Sequence, residues 1–201
     1  STYTPSHHVC GYDFDEARYQ VWFGFDSFSK CAKAGMLNHW AENKKKGGRI
    51  VMFNPVRTPM TDGFATEYHA IKPGTDLAVA LAMLNLMVNG RKYNTDFLKK
   101  YSDAAALVDE QKRETLKDAD GRLFAWCGRH KAAEPIDACH EPVLDGGPYM
   151  TTVDGRSVTV KTVLRLLREN VKPCTPEWAA GISEVPARAI RRITGEFAAA
   201  A

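Results

Sequence analysis

Three short polar stretches, each beside an apolar run, hold the groups in this sequence best suited to chemistry. They are "FGFDSFSK" (Phe23 to Lys30), "FNPVRTPM" (Phe53 to Met60) and "KPGTD" (Lys72 to Asp76). In the first, Gly24 would let a backbone approach a ligand closely. Amides at a helix start near Asp26 and Ser27 would favour an anion such as phosphate. In the second, Pro55 stops the preceding apolar run, and Asn54 and Arg57 can hydrogen-bond a ribose or pyrophosphate, arginine supplying a forked donor. Thr58 adds a hydroxyl to the same corner. In the third, Gly74 and Thr75 lead to Asp76, whose two carboxylate oxygens could accept both N–H groups of a guanine edge. Each stretch also has a plainer reading. Asn-Pro starts turns, Ser27 can serve only as a helix cap, and Asp76 only as a charge at a helix N-terminus.

The elements around these stretches must position them. Tyr19 to Phe23 is rich in aromatic and β-branched residues and stops at Gly24, so it reads as a buried strand. A helix then runs from a cap at Ser27 or Ser29 to Gly47-Gly48. Ala34, Leu37, Trp40 and Ala41 fall at helical spacing, and Lys44-Lys45-Lys46 complement the negative end of the helix dipole. "GRIVMFN" is a second strand of the same continuous apolar kind. Strand, helix and strand make a βαβ unit with parallel strands, and ligands bind such sheets beyond the carboxyl ends of the strands. A third extended piece covers 68–73, and an apolar helix follows with Thr75 or Asp76 at its start and Gly90 past its end. Its apolar run, Leu77 to Val88, is too short to cross a bilayer. "TDFLKKYS" is a further short helix.

From about 103 to 157 the composition turns charged and rich in Gly and Pro. This stretch reads as an insertion with one short helix, a strand near Arg122–Trp126 and a hairpin centred on Asp154-Gly155. The rest is helical: "KTVLRLLRENV", then "TPEWAAGI" with Thr175 as cap and Pro176 at the first helical position, then a last helix opened by Pro186. The expected class is α/β, with one insertion and a helical C-terminal segment.

Composition narrows the function. The 201 residues are 44% hydrophobic and 25% charged, ordinary for a globular chain, and a net charge of +3 is too mild for a nucleic-acid surface. Five cysteines are scattered without a Cys-x-x-Cys pair. Cys127, His130, Cys139 and His140 match no usual zinc-finger spacing, so no metal ligand is assigned. There is no GxGxxG and no GxxxxGK[ST], which argues against an ordinary NAD site and a P-loop. The start, "STYTPSHHVCGYDFDE", lacks a signal peptide and an initiator Met, and the end stops inside a helical pattern. A piece of a longer protein is expected.

Four stretches in this order resemble one family. "VWFGFDSFSKCAKA", "GGRIVMFNPVRTPMTDGFATEYHAIKPGTDLAVALAMLNLMV", "YNTDFLKKYS" and "CTPEWAAGISEVPARAIRRITGEFAAA" are similar to large subunits of the molybdopterin oxidoreductases, the dimethyl sulfoxide reductase family. The segment before the TPEW motif looks most like the tetrathionate, polysulfide and arsenate-type respiratory reductases. The resemblance implies a Rossmann-like parallel sheet with flanking helices, holding one of two molybdopterin guanine dinucleotides with molybdenum or tungsten. By position, Gly24, Asp26 and Ser27 would lie at the dinucleotide's phosphates. Asn54, Pro55 and Arg57, with Thr58 beside them, would lie at the guanosine ribose, and Gly74, Thr75 and Asp76 at guanine. The family's usual G-x-N-P is Gly24-Phe25-Asp26-Ser27 here, and Asn54 stands where Asp is more frequent.

The same resemblance implies an iron–sulfur cluster upstream in the catalytic subunit, with a further domain closing over the cofactors. The partners it implies are the rest of that catalytic chain, a membrane anchor and an iron–sulfur electron-transfer subunit. The place would be the periplasm, with the cytoplasm as second choice. Cys10 lies too close to the first strand for the family's metal ligand, and no catalytic residue is assigned. The alternative function is a stand-alone nucleotide-binding or protein-interaction module without redox activity.

Overall fold

The computed structural model describes residues 14–25, 34–153 and 155–200. The chain divides into two compact units, one formed by 1–79 with 180–201 and the other by 80–179.

The first unit is built on three parallel strands in the order β1 (Tyr19–Phe23), β2 (Arg49–Asn54) and β3 (Glu67–Ala70). Ile50, Val51, Met52 and Phe53 are buried on both faces of the central strand. That double burial is why β2 is a continuous apolar run and not an alternating one. The connection from β1 to β2 contains α1 (Ala34–Lys45). Its Trp40 is fully buried against Ile50, Met52 and Met60, with Phe14, Trp22 and Phe64 packed around them. The basic run closes this helix as expected: Lys45 pairs with Glu42 at 2.6 Å, Lys44 Nζ donates to the Gly63 carbonyl at 3.0 Å, and Gly47 takes φ +86°. The expected caps, Ser27 and Ser29, lie outside the described residues.

Two local features differ from expectation. A short helix, α2 (Pro59–Phe64), follows β2. β3 stops at Ala70 instead of running to 73, because Lys72 to Thr75 form a turn in which the Thr75 amide donates to the Lys72 carbonyl at 3.2 Å.

The apolar helix is α3 (Asp76–Asn89), in the place expected, and α4 (Thr95–Tyr101) follows, capped by Asn94. From 103 to 162 the regular elements are short strands apart from one 3-10 turn. Among the described residues the helical content from 103 to 157 is that single turn, Asp103–Ala105, where one short helix is expected. β4 (Leu107–Asp109), β5 (Phe124–Cys127), β6 (Ala132–Pro135), β7 (Tyr149–Val153) and β8 (Arg156–Thr162) form two antiparallel sheets, ordered β4-β8-β7 and β5-β6. β5 is the strand expected near Arg122–Trp126, and β7 with β8 is the expected hairpin, although Asp154 itself lies outside the described residues. Then come α5 (Val163–Val171), α6 (Pro176–Ser183), whose Trp178 amide donates to the Thr175 hydroxyl at 3.1 Å, and α7 (Ala187–Ala199). Val88, Ala105, Ala125, Cys127, Leu144 and Leu164 make the core of the second unit. In the first unit, α7 turns Ile190 and Ile193 fully inward.

Candidate functional site

The parallel register brings two of the three polar stretches to one edge of the sheet. Phe23 lies beside Phe53 and Asn54 beside Ala70, and the Gly24 amide donates to the Phe53 carbonyl at 2.9 Å. Gly24 adopts φ +59°, and a Cβ built there would meet nothing within 4 Å among the described residues. The backbone is therefore approachable at that point, and its conformation favours glycine. Asp26 and Ser27 lie outside the described residues.

Asn54 ends the central strand. Its carbonyl accepts from the Tyr68 hydroxyl at 2.9 Å, the residue is 6% exposed, and among the described residues its carboxamide has no hydrogen-bond partner. No atom of that carboxamide is both fully buried and unpartnered, so it reaches solvent at the strand end, where a ligand could take the place of water. Pro55 follows and removes the next backbone donor. Arg57 is exposed; its Nε donates to Asp62 Oδ1 at 2.9 Å, and its guanidinium lies 5.5 Å over the Tyr68 ring. Part of its fork is thus engaged locally. Thr58 caps α2: its hydroxyl accepts from the Thr61 amide, and the Thr61 hydroxyl accepts from the Thr58 amide at 2.6 Å.

The third stretch continues from β3. The Lys72 amide donates to the Ser183 carbonyl at 3.1 Å, which holds the turn. Gly74 takes φ +77°, and among the described residues nothing stands within 4 Å of its Cβ position. The Thr75 hydroxyl donates to the Lys72 carbonyl at 2.6 Å, so that side chain is spent on the turn. Asp76 opens α3 half-buried, and among the described residues its carboxylate has no hydrogen-bond or ion-pair partner. A ligand carrying an anion, a sugar and a hydrogen-bonding base would meet open backbone at Gly24 and Gly74, an unpartnered amide at Asn54 and a free acceptor at Asp76. The residues present fit such a group.

The strands also carry a charged network that sequence reasoning did not single out. Glu67 accepts from Arg49 at 3.1 Å, from His69 at 2.5 Å and from Arg192 of α7. Glu196 takes Arg192 at 2.9 Å, Arg49 at 3.5 Å and the Tyr19 hydroxyl at 2.9 Å. Burial pushes both carboxyls up, but for Glu67 the bonds from Arg192 and His69 outweigh it, and for Glu196 those from Arg192 and Tyr19 do, so both sit below the ordinary glutamate value. Burial and Glu196 push the Tyr19 phenol up. The Arg192–Glu196 spacing is a helix-face pair visible in sequence; the partners on three strands become visible only in the fold.

No family model matches the chain. A sulfite dehydrogenase subunit from Allochromatium vinosum is 34% identical over 173 residues, covering 78% of this chain and 17% of that protein. The thiosulfate reductase molybdopterin-containing subunit of Salmonella typhimurium is 26% identical across 94% of this chain and 17% of its own length. Dimethyl sulfoxide/trimethylamine N-oxide reductase of Rhodobacter capsulatus is 34% identical over 59 residues, 29% of this chain and 7% of that one. The chain belongs with the molybdopterin oxidoreductases of the dimethyl sulfoxide reductase family. Among solved structures, acetylene hydratase from Pelobacter acetylenicus superposes with a TM-score of 0.52 at 16% identity, over 90% of this chain and 16% of that one, and so shares the fold. This chain thus spans about a sixth of the length of the first two of these molybdopterin oxidoreductase relatives.

Proposed function

We propose that this chain binds one molybdopterin guanine dinucleotide at the carboxyl edge of β1, β2 and β3, within a molybdenum-dependent oxidoreductase. The observation that carries this is the pair of unpartnered polar groups, Asn54 and Asp76, flanked by open backbone at Gly24 and Gly74. Gly24, with Asp26 and Ser27, would hold the phosphates. Asn54, Pro55, Arg57 and Thr58 would border the ribose, and Gly74, Thr75 and Asp76 would read guanine. When bound, the group supplies two-electron redox chemistry at its metal; the protein's part is to orient it. The substrate class is a small sulfur compound or oxo-anion, supported by relatives named for sulfite, thiosulfate and perchlorate. Several relatives are named as one subunit of a larger enzyme, which supports a multi-subunit assembly. Its other members would be a membrane anchor and an iron–sulfur electron-transfer protein, in the periplasm.

Titration of the chain with guanosine monophosphate, with adenosine monophosphate as control, tests the reading. Guanine should be preferred, and Asp76→Asn should weaken its binding by about 1–3 kcal/mol, the worth of a charged hydrogen bond. Equal affinity for both bases, or an Asp76→Asn variant that binds as well as the parent, overturns it.

A further inference from the structure

Side chains from one hairpin and the turn after it converge in the second unit, and none of them is among the residues assigned above. In the β5–β6 pair Cys127 faces Ala132 and Ala125 faces Glu134. Side chains alternate along a strand, so Cys127 and Glu134 stand on the same face. The connecting turn, in which the Lys131 amide donates to the Cys127 carbonyl at 3.0 Å and Lys131 takes φ +55°, brings His130 to them. His130 Nδ1 lies 3.7 Å from Cys127 Sγ and 2.6 Å from Glu134 Oε1. One donor atom from each of the three lies within 4.8 Å of the other two. After β6 the Ala138 and Cys139 amides both donate to the Pro135 carbonyl at 3.0 Å, a tight turn that brings Cys139 near Cys127 but leaves its sulfur outside the trio gathered within 4.8 Å. Cys127 is fully buried, Cys139 is 8% exposed, and both are free thiols.

We propose that Cys127, His130 and Glu134 form a structural site for a zinc-type divalent cation, with Cys139 closing on the ion as the fourth ligand. Two sulfurs, an imidazole and a carboxylate are a donor set that suits zinc and not calcium or magnesium. In a tetrahedral site with sulfur about 2.3 Å and nitrogen about 2.0–2.1 Å from zinc, the two ligands lie about 3.5–3.6 Å apart. The observed sulfur–nitrogen separation is 3.7 Å. The nitrogen–oxygen contact is that of a hydrogen bond, and it opens as the ion takes the place of the shared proton. The spacing is Cys-x2-His-x3-Glu-x4-Cys, which no familiar finger pattern contains. Arg129 and Lys131 flank His130 in the exposed turn and offset the net negative charge left by two thiolates, a carboxylate and one dication. A two-stranded hairpin is marginal by itself, and an ion tied to both of its turns would hold it.

The test is a cobalt titration of the reduced, chelator-stripped chain, followed by zinc. A single equivalent should bring tetrahedral d–d bands and a thiolate-to-cobalt charge-transfer band, all displaced by zinc. His130→Ala, at an exposed position outside the core, should weaken uptake by at least about tenfold while circular dichroism stays unchanged. Cys139→Ser should lower the charge-transfer band, and Cys174→Ser should not. Absence of the charge-transfer band, uptake indifferent to His130→Ala, or uptake lost in Cys10→Ser would each overturn the site.

Discussion

Along the three-stranded sheet, two groups of polar side chains meet opposite fates. Tyr19, Arg49, Glu67, His69, Arg192 and Glu196 satisfy one another, leaving Arg49 Nε as a buried donor without a partner. At the carboxyl edge Asn54 and Asp76 have no partners among the described residues, and the nearby glycines leave open space. The first arrangement stabilises the fold; the second leaves polar groups short of bonds. Side chains left to solvent beside open backbone are available to a ligand. The contrast separates residues that hold the sheet from residues that the proposed ligand would meet.

The largest effect should come from breaking the paired side. Glu67→Ala takes the carboxylate from His69 and one of two carboxylate partners from Arg49 and Arg192, and should cost about 1.5–2 kcal/mol of unfolding free energy in urea, with nucleotide affinity little changed. Asp76→Asn should do the reverse, leaving the urea midpoint in place while guanosine monophosphate binding falls. The smaller changes sharpen the boundary between the two groups. Thr58→Ala removes a helix cap and should cost about 1 kcal/mol of stability; a larger loss of nucleotide affinity than of stability would add ligand contact to its role. Arg57→Ala breaks an exposed pair with Asp62 and should move stability by less than about 0.5 kcal/mol, so any clear loss of affinity reports contact with the ligand.

Acid sharpens the comparison further. Glu67 and Glu196 titrate lower when folded than when unfolded. Their contribution is complete above the ordinary value of 4.5 and is lost as pH falls below it, because the unfolded chain takes up those protons first. Urea titrations between neutral pH and pH 3 should show this decline, and Glu67→Ala should show a shallower one.

The parallel strands and long helices were legible because double burial leaves continuous apolar runs and because Gly24, Pro55, Thr175 and Pro176 mark ends. The helix α2 was not. Its sequence, PMTDGF, carries a glycine and little periodicity, and its capping box uses Thr61 where glutamate or glutamine would signal it. β4 and β6 escaped for a different reason: they have three and four residues, too short for a period to declare itself. At the site, the type and order of Gly24, Asn54 and Asp76 could be read directly. That Thr58 and Thr75 spend their hydroxyls on local turns could not, because both uses look the same in sequence. The Cys127 cluster was half legible: Cys127 and His130 were visible, but Glu134 joins them through strand pairing, and Cys139 and His140 lie outside the gathered trio.

The aromatic packing around α1 has an optical consequence. Trp22 and Trp40 lie with ring centroids 4.7 Å apart and planes tilted by 60°, close enough for their excited states to couple. Phe25, one residue past Gly24, packs edge-on against both, at 4.9 and 5.6 Å. A ligand settling on the Gly24 backbone would shift that ring and with it the chirality of the indole pair. Near-ultraviolet circular dichroism should therefore change when the sheet edge fills, and the signal arises from the apo protein's own chromophores without any attached label.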